Sequence, residues 1–274
     1  MARTAFALII LKRLLFSVAL VFITSHVRGQ SSPFLASAGY IDQARGKQAL
    51  RMVSYNVENL FDYYDDSVTQ DDEFLPHKGR YWNKTKYQKK THQIAQVIMA
   101  IGGWEAPAVV GLCEIENRYV LQTLTRFTVL KSVGYEIIHK DSPDARGIDV
   151  ALLYRPEKFQ LIDYQFIGVE HPQDTTFSTR EILYAKGIVS NGDTLHVFMN
   201  HWPSKYGGEF ETAEKRQIAA QQLKLKMDSL GQVHEKAKII AMGDFNDTPR
   251  SESMLFLTKD GDYVNLLEEA MYQY

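Results

Sequence analysis

Three polar residues, Asp244, Asn246 and Asp247, follow directly on an apolar run, Lys238 to Met242, in the stretch Ile239-Ile-Ala-Met-Gly-Asp-Phe-Asn-Asp-Thr-Pro249. The apolar run reads as a buried strand that stops at Gly243 and opens into turn-forming residues. Such a strand end holds side chains rigidly enough for chemistry. It also reads as an Asx-rich turn capping the sheet. What separates the two readings is the rest of the chain. Asn56 closes Leu50 to Val57, Glu114 closes Pro107 to Ile115, and His201 follows Thr194 to Asn200. Each of these runs reads as a strand, and each ends in an oxygen or imidazole group. Oxygen ligands suit a hard cation, Mg²⁺ or Mn²⁺, which accepts one or two carboxylates together with a substrate phosphate. No Cys/His cluster has zinc spacing, and neither a Gly-x-x-x-x-Gly-Lys loop nor a Gly-x-Ser-x-Gly elbow occurs. Metal-assisted hydrolysis is the chemistry that fits these residues.

The elements that must position them follow from the apolar periodicity. Pro107 to Ile115 is continuously apolar and reads as a strand buried on both faces. A carboxylate at its end is costly unless it is paired, metal-bound or at the surface. Lys84 to Ile101, with Tyr87, Ile94, Val97, Ile98 and Ile101 at helical spacing, predicts a helix closed by Gly102-Gly103. Arg118 to Lys131 predicts a second helix with Val120, Leu121, Leu124 and Phe127 inward. Glu211 to Leu230 predicts a third, and Val264 to Ala270 a fourth. Strands are expected around Tyr135–His139, Ile148–Tyr154 and Phe159–Val169. Ile182–Ser190 and Thr194–Asn200 form a hairpin through Asn191-Gly192-Asp193. Asp62 to Phe74 is rich in Asp but lacks EF-hand spacing, and it reads as a solvated acidic loop. Lys84, Lys86, Lys89 and Lys90 lie at helical spacing, as a solvated face or as a track for a nucleic-acid backbone.

The chain has 274 residues, a formal charge of −2 and one cysteine. That is enough for one large domain, gives no overall basic field, and leaves Cys113 as a buried thiol without an internal disulfide. Arg3, Lys12 and Arg13 precede the apolar run Leu14 to Ile23, so residues 1–29 are expected to be a signal peptide cleaved between Ser25 and Gln30. An uncleaved anchor is the alternative. The expectation is an exported protein, periplasmic or secreted, with no stable membrane span after cleavage.

Five segments occur here in the order found in the endonuclease/exonuclease/phosphatase superfamily: Ser54-Tyr-Asn-Val-Glu-Asn59, Gly111-Leu-Cys-Glu-Ile-Glu116, Arg146-Gly-Ile-Asp-Val-Ala151, Asn200-His-Trp202 and Gly243-Asp-Phe-Asn246. The chain resembles these deoxyribonuclease I-like hydrolases over about Leu50 to Asp247, and residues 50–274 are expected to form the domain. The resemblance implies a four-layer α/β sandwich, two packed and mainly antiparallel sheets flanked by helices, with the site at one end. It also implies roles. Glu114 is the principal metal carboxylate, with Asn56 beside it. Asp244 orients or deprotonates the attacking water, Asn246 hydrogen-bonds the phosphate, and His201 stabilises its developing charge. Arg180 contacts phosphate, on a looser match. Mg²⁺, or Mn²⁺ in its place, is the cofactor, a phosphodiester such as nucleic acid the substrate, and a monomer the expected state.

One departure from the family pattern is present. A terminal Ser-Asp-His segment is usual, and no His follows Asp247. The family's C-terminal strands are therefore expected to be missing from these 274 residues, leaving a sheet edge open and the chain inactive and aggregation-prone. Within the hydrolase reading, a nuclease and a phosphatase or phospholipase acting on lipid or inositol phosphates stay open. A catalytically inactive binding protein on the same fold is the competing class.

Overall fold

The computed structural model describes residues 50–267, apart from 68, 145, 172, 175, 176, 178, 207, 235 and 236, together with the backbone of 7–12 and 20–22. Ala7–Lys12 (β1), Leu20–Phe22 (β2), Met52–Leu60 (β3), Val109–Ile115 (β4), Glu136–His139 (β5), Asp149–Tyr154 (β6), Phe159–Ile167 (β7), Ile182–Val189 (β8), Thr194–His201 (β9), Lys238–Asp244 (β10) and Tyr263–Asn265 (β11) are strands. Lys84–Gly102 (α1), Arg118–Arg126 (α2), Glu209–Val233 (α3) and Glu252–Thr258 (α4) are helices. The strands form two sheets, ordered β11-β1-β10-β9-β8-β7 and β2-β3-β4-β6-β5.

The apolar runs explain the layering. In β10, Ile240 and Met242 face the space between the sheets, while Ile239 and Ala241 face the helices α3 and α4. In β4, Val109 and Cys113 face inward, and Val110 and Leu112 pack under α1 and α2. Both faces of each strand are covered, so period-two alternation of polarity is absent and the runs are continuously apolar. The result is helices, sheet, sheet, helices: the four-layer sandwich expected from the resemblance. Gly111 lets the sheets approach, because a Cβ there would lie 2.4 Å from Met199 Sδ.

Parallel pairing brings the strand ends together. β3 pairs parallel with β4 across the α1 crossover, and β9 pairs parallel with β10 across α3. The remaining pairs, apart from parallel β2–β3, are antiparallel. Four C-terminal strand ends therefore meet at one end of the sandwich.

Several local expectations need correction. The helix beginning at Arg118 ends at Arg126, not Lys131. Thr128 instead caps a separate 3₁₀ turn, its side chain accepting from Leu130 N. Phe127, expected inward, sits at that break and is 73% exposed. The acidic stretch is not uniformly solvated: Asp62 and Asp71 are buried. Asp62 accepts from Tyr64 N and Asn117 Nδ2, and Asp71 accepts from Asp66 N, so backbone and amide donors replace water. Val264 and Asn265, expected in a helix, lie in β11. The expected open edge beside β10 is also absent, since β1 pairs with it from Ala7↔Asp244 to Leu11↔Ile240. β1 and β2 fall within the expected leader, whose other residues lie outside those described.

Candidate active site

Asn56 is the hub. Its Nδ2 donates to Glu114 Oε1 at 3.0 Å and to Asp244 Oδ2 at 2.8 Å, while its Oδ1 accepts from Glu58 N at 2.9 Å. One amide thus joins the ends of three strands in two different sheets. The backbone is bent to make this possible. The β3–β4 and β4–β6 ladders both shift register here, between Asn56 and Leu60 and between Cys113 and Ile115. Glu114 itself lies at φ 66°, and Glu58 and Asn59 at 54° and 65°. Non-glycine residues held in the left-handed region are costly and concentrate at functional sites. The bulges re-aim the side chains that follow them. Lys90 Nζ, from α1, donates to the carbonyls of Glu58 and Asn59 and holds the β3 bulge from outside. Burial lowers its pKa to about 8.

Asp244 and Asn246 form the second arm. Asn246 N donates to Asp244 Oδ1 at 2.9 Å, and Asn246 Nδ2 donates to Trp202 O at 2.9 Å. Asn246 has φ 50°, the left-handed conformation an Asx turn tolerates. Gly243 is required for a different reason. At φ 137° its backbone passes so close to β9 that a Cβ would lie 1.9 Å from Asn200 O.

His201 lies beside this pair, 4% exposed. Its Nε2 is 3.9 Å from Glu114 Oε1, too long for a hydrogen bond, and its Nδ1 has no partner. Arg180 braces the loop after β9: its Nε donates to His201 O at 2.9 Å and one terminal nitrogen to Trp202 O at 3.0 Å. The other terminal nitrogen is ion-paired with Asp144 Oδ2. The guanidinium is buried and held on three sides, so a contact with phosphate would have to displace Asp144.

The electrostatics follow from burial. Desolvation raises the pKa of Glu114, reinforced by the charge of Asp244 and opposed by the Asn56 hydrogen bond. Desolvation likewise raises Asp244, opposed by the bonds from Asn246 and Asn56. Burial, with Arg180 and Arg146 nearby, holds His201 well below the usual imidazole range, so it is neutral at pH 7. Two desolvated carboxylates joined by one amide, with no ammonium or guanidinium among the described residues ion-paired to either, fit a divalent cation. Asn56 Oδ1 accepts from Glu58 N through one lone pair, which leaves the other for a metal.

The structure brings Asn56, Glu114, His201, Asp244 and Asn246 together, with Arg180 behind them. Sequence reasoning missed the supports. Asp144 lies between the expected strands Tyr135–His139 and Ile148–Tyr154, and nothing in the sequence marks it as a partner of Arg180. Trp202 Nε1 donates to Asn200 Oδ1 at 3.1 Å, and Cys113 Sγ donates to Asn200 O at 3.3 Å. The Cys113–Asn200 contact joins residues 87 apart in the chain, and no local pattern announces it, whereas the Trp202–Asn200 bond spans two residues.

The family model described as Endonuclease/Exonuclease/phosphatase family matches residues 51–268. No curated protein matches the chain. Among solved structures, it is similar to the human Nocturnin catalytic domain with bound sulfate anion, at 18% identity over 76% of this chain and 69% of that one, TM-score 0.54. It is also similar to a mannosyl-6-phosphatase of Bacteroides thetaiotaomicron VPI-5482, at 18% identity over 78% and 71%, TM-score 0.53. An endonuclease/exonuclease/phosphatase family protein from Bacteroides thetaiotaomicron gives 18% identity over 77% and 66%, TM-score 0.52. These likenesses concern the fold.

Proposed function

Because the chain belongs to the endonuclease/exonuclease/phosphatase family, we propose that it is a metal-dependent phosphoester hydrolase acting on phosphodiesters in a nuclease-like way. The observation that carries this reading is the Asn56 amide bridging Glu114 and Asp244, two buried carboxylates from different sheets. Glu114 and Asn56 would hold a divalent cation, Mg²⁺ or Mn²⁺, which when bound supplies charge stabilisation at the phosphoryl oxygens. The remaining roles belong to the protein. Asp244 accepts the proton of the attacking water as its oxygen bonds to phosphorus and the P–O bond to the leaving alcohol breaks. A desolvated carboxylate of raised pKa is the better base for this step. Asn246 keeps one amide hydrogen for a non-bridging oxygen, since the other is held by Trp202 O. His201, neutral and with a free ring nitrogen, offers a second neutral hydrogen-bonding group where charge develops. Arg180 acts through the loop it braces, and contacts phosphate if Asp144 yields.

Lys84, Lys86 and Lys89 are exposed on α1 and favour a polyanionic substrate such as nucleic acid, while Lys90 is tied to the β3 bulge. The N-terminal Arg3, Lys12 and Arg13 with Leu14 to Ile23 favour export. Among the described residues no helix is long and apolar enough to cross a membrane.

The test is hydrolysis of bis-nitrophenyl phosphate with Mg²⁺ and with Mn²⁺, by the parent and by Glu114→Gln. Hydrolysis by the parent, dependent on added metal and lost in the variant, is expected. Plasmid DNA, sphingomyelin and inositol phosphates in the same assay divide nuclease from lipid or inositol phosphate hydrolase. Tight binding of one of these without turnover, under either metal, would favour the inactive binding protein.

A further inference from the structure

A second group of potential ligands lies on the β5–β6 hairpin. We propose that His139, Asp141 and Asp149 form a distinct metal site for a divalent transition-metal ion of the Zn²⁺ or Mn²⁺ class. The ligand atoms of these residues all lie within 4.8 Å of one another. The strand register explains the proximity. His139 pairs with Ala151, so Asp149 is its diagonal neighbour on the same face of the sheet. Asp141 follows two residues after the end of β5.

The imidazole points to a ligand rather than to a simple ion pair. The His139 side chain is 2% exposed, yet Nε2 has no hydrogen-bond partner. That nitrogen lies 3.3 Å from Asp149 Oδ2, outside hydrogen-bond geometry. About 3.3 Å is the separation of two ligand atoms on a tetrahedral metal with bonds of about 2.0–2.1 Å. The other oxygen of Asp149 accepts from Ser142 N at 2.9 Å, which orients the carboxylate with Oδ2 toward His139. Asp141 Oδ1 lies 3.9 Å from His139 Nδ1, the ring nitrogen that does not face Asp149, and its side chain is 81% exposed, so it has to turn toward Nε2 to complete the set. One imidazole and two carboxylates favour a transition metal over Mg²⁺, and the exposed side leaves room for water.

Occupancy would have a structural effect. The loop between β5 and β6 carries Asp144, whose carboxylate holds Arg180 against the backbone of His201 and Trp202. A metal joining His139 and Asp141 to Asp149 fixes both ends of that loop.

The experiment measures Co²⁺ binding by visible absorption and Zn²⁺ stoichiometry by elemental analysis, in the whole chain and without substrate. Three variants are compared with the parent. Glu114→Gln should keep one bound transition metal. Asp141→Asn, at an exposed position that cannot disturb the core, should weaken Co²⁺ binding by more than about a hundredfold, beyond what loss of an outer-shell partner costs. His139→Gln should abolish it. An imidazolium held between two carboxylates without metal would leave Co²⁺ affinity unchanged in Asp141→Asn, and that result overturns the site. Absence of any bound transition metal in Glu114→Gln overturns it as well. The readout is metal binding, so failure of the hydrolase reading leaves this result intact.

Discussion

Asn56 gives its amide nitrogen to two carboxylates at once, and that single contact sets how the site responds to substitution. Burial makes each carboxylate favour its protonated form more than a free side chain does, and the charge of Asp244 adds to this at Glu114. Removing one charge relieves the other. Glu114→Gln is therefore expected to fold as well as the parent or better, with a melting temperature at or above it, while losing hydrolysis. Asp244→Asn keeps the Asn246 turn and the Asn56 contact sterically but removes the base. Turnover should fall at least ~10²-fold with KM little changed, as for loss of a general base. A change confined to KM would move the base elsewhere.

At the scale of elements, the bend in β3 and the loop after it depend on buried acids. Glu116 follows the β4 strand end and its Oε2 accepts from Asp62 N at 2.6 Å. Burial, together with the charges of Asp62, Asp71 and Asp66, raises the Glu116 pKa from 4.5 to about 8. The sign of the linkage follows from a folded pKa above the unfolded one. The stabilisation is fully present below pH 4.5 and is lost as pH rises through about 8. Thermal stability should decline across that window, and Glu116→Gln should flatten the decline. A parent whose melting temperature is level from pH 5 to pH 8 would contradict the assignment.

For the whole molecule, the parallel β9–β10 pair and the parallel β3–β4 pair end at the same pole, with β1 and β11 completing the sheet beyond β10. The residues of β1 lie in the segment that sequence patterning assigns to a leader. A chain beginning at Gln30 lacks that partner, so the β10 amides that face β1 should exchange hydrogen faster than in the 274-residue chain. Mass spectrometry of protein recovered from the medium and the periplasmic fraction, if the chain reaches them, reads its N-terminus there. A mature N-terminus between Ser25 and Gln30 is expected. Equal exchange in the two chains would show that β1 does not protect β10.

The continuous apolar runs of β4 and β10 were legible because burial on both faces removes alternation, and the four-layer order follows from that. The motif segments placed Asn56, Glu114, His201 and Asp244 at strand ends, since each polar residue interrupts an apolar strand pattern. The break at Arg126 and the strand Tyr263–Asn265 were not legible, because a local cap and a long-range pairing overrode helical periodicity. The bulges that turn Glu114 and Asn56 toward Asp244 were also hidden, since register is a property of paired strands. The Arg180–Asp144 brace likewise depends on a neighbour distant in sequence, and the His139–Asp149 pair on the register of the β5–β6 hairpin. Hydrophobic pattern and motif order are local, and they mark which residues stand at strand ends. Which of those ends meet is set by crossover connections and ladder register, and local composition encodes neither.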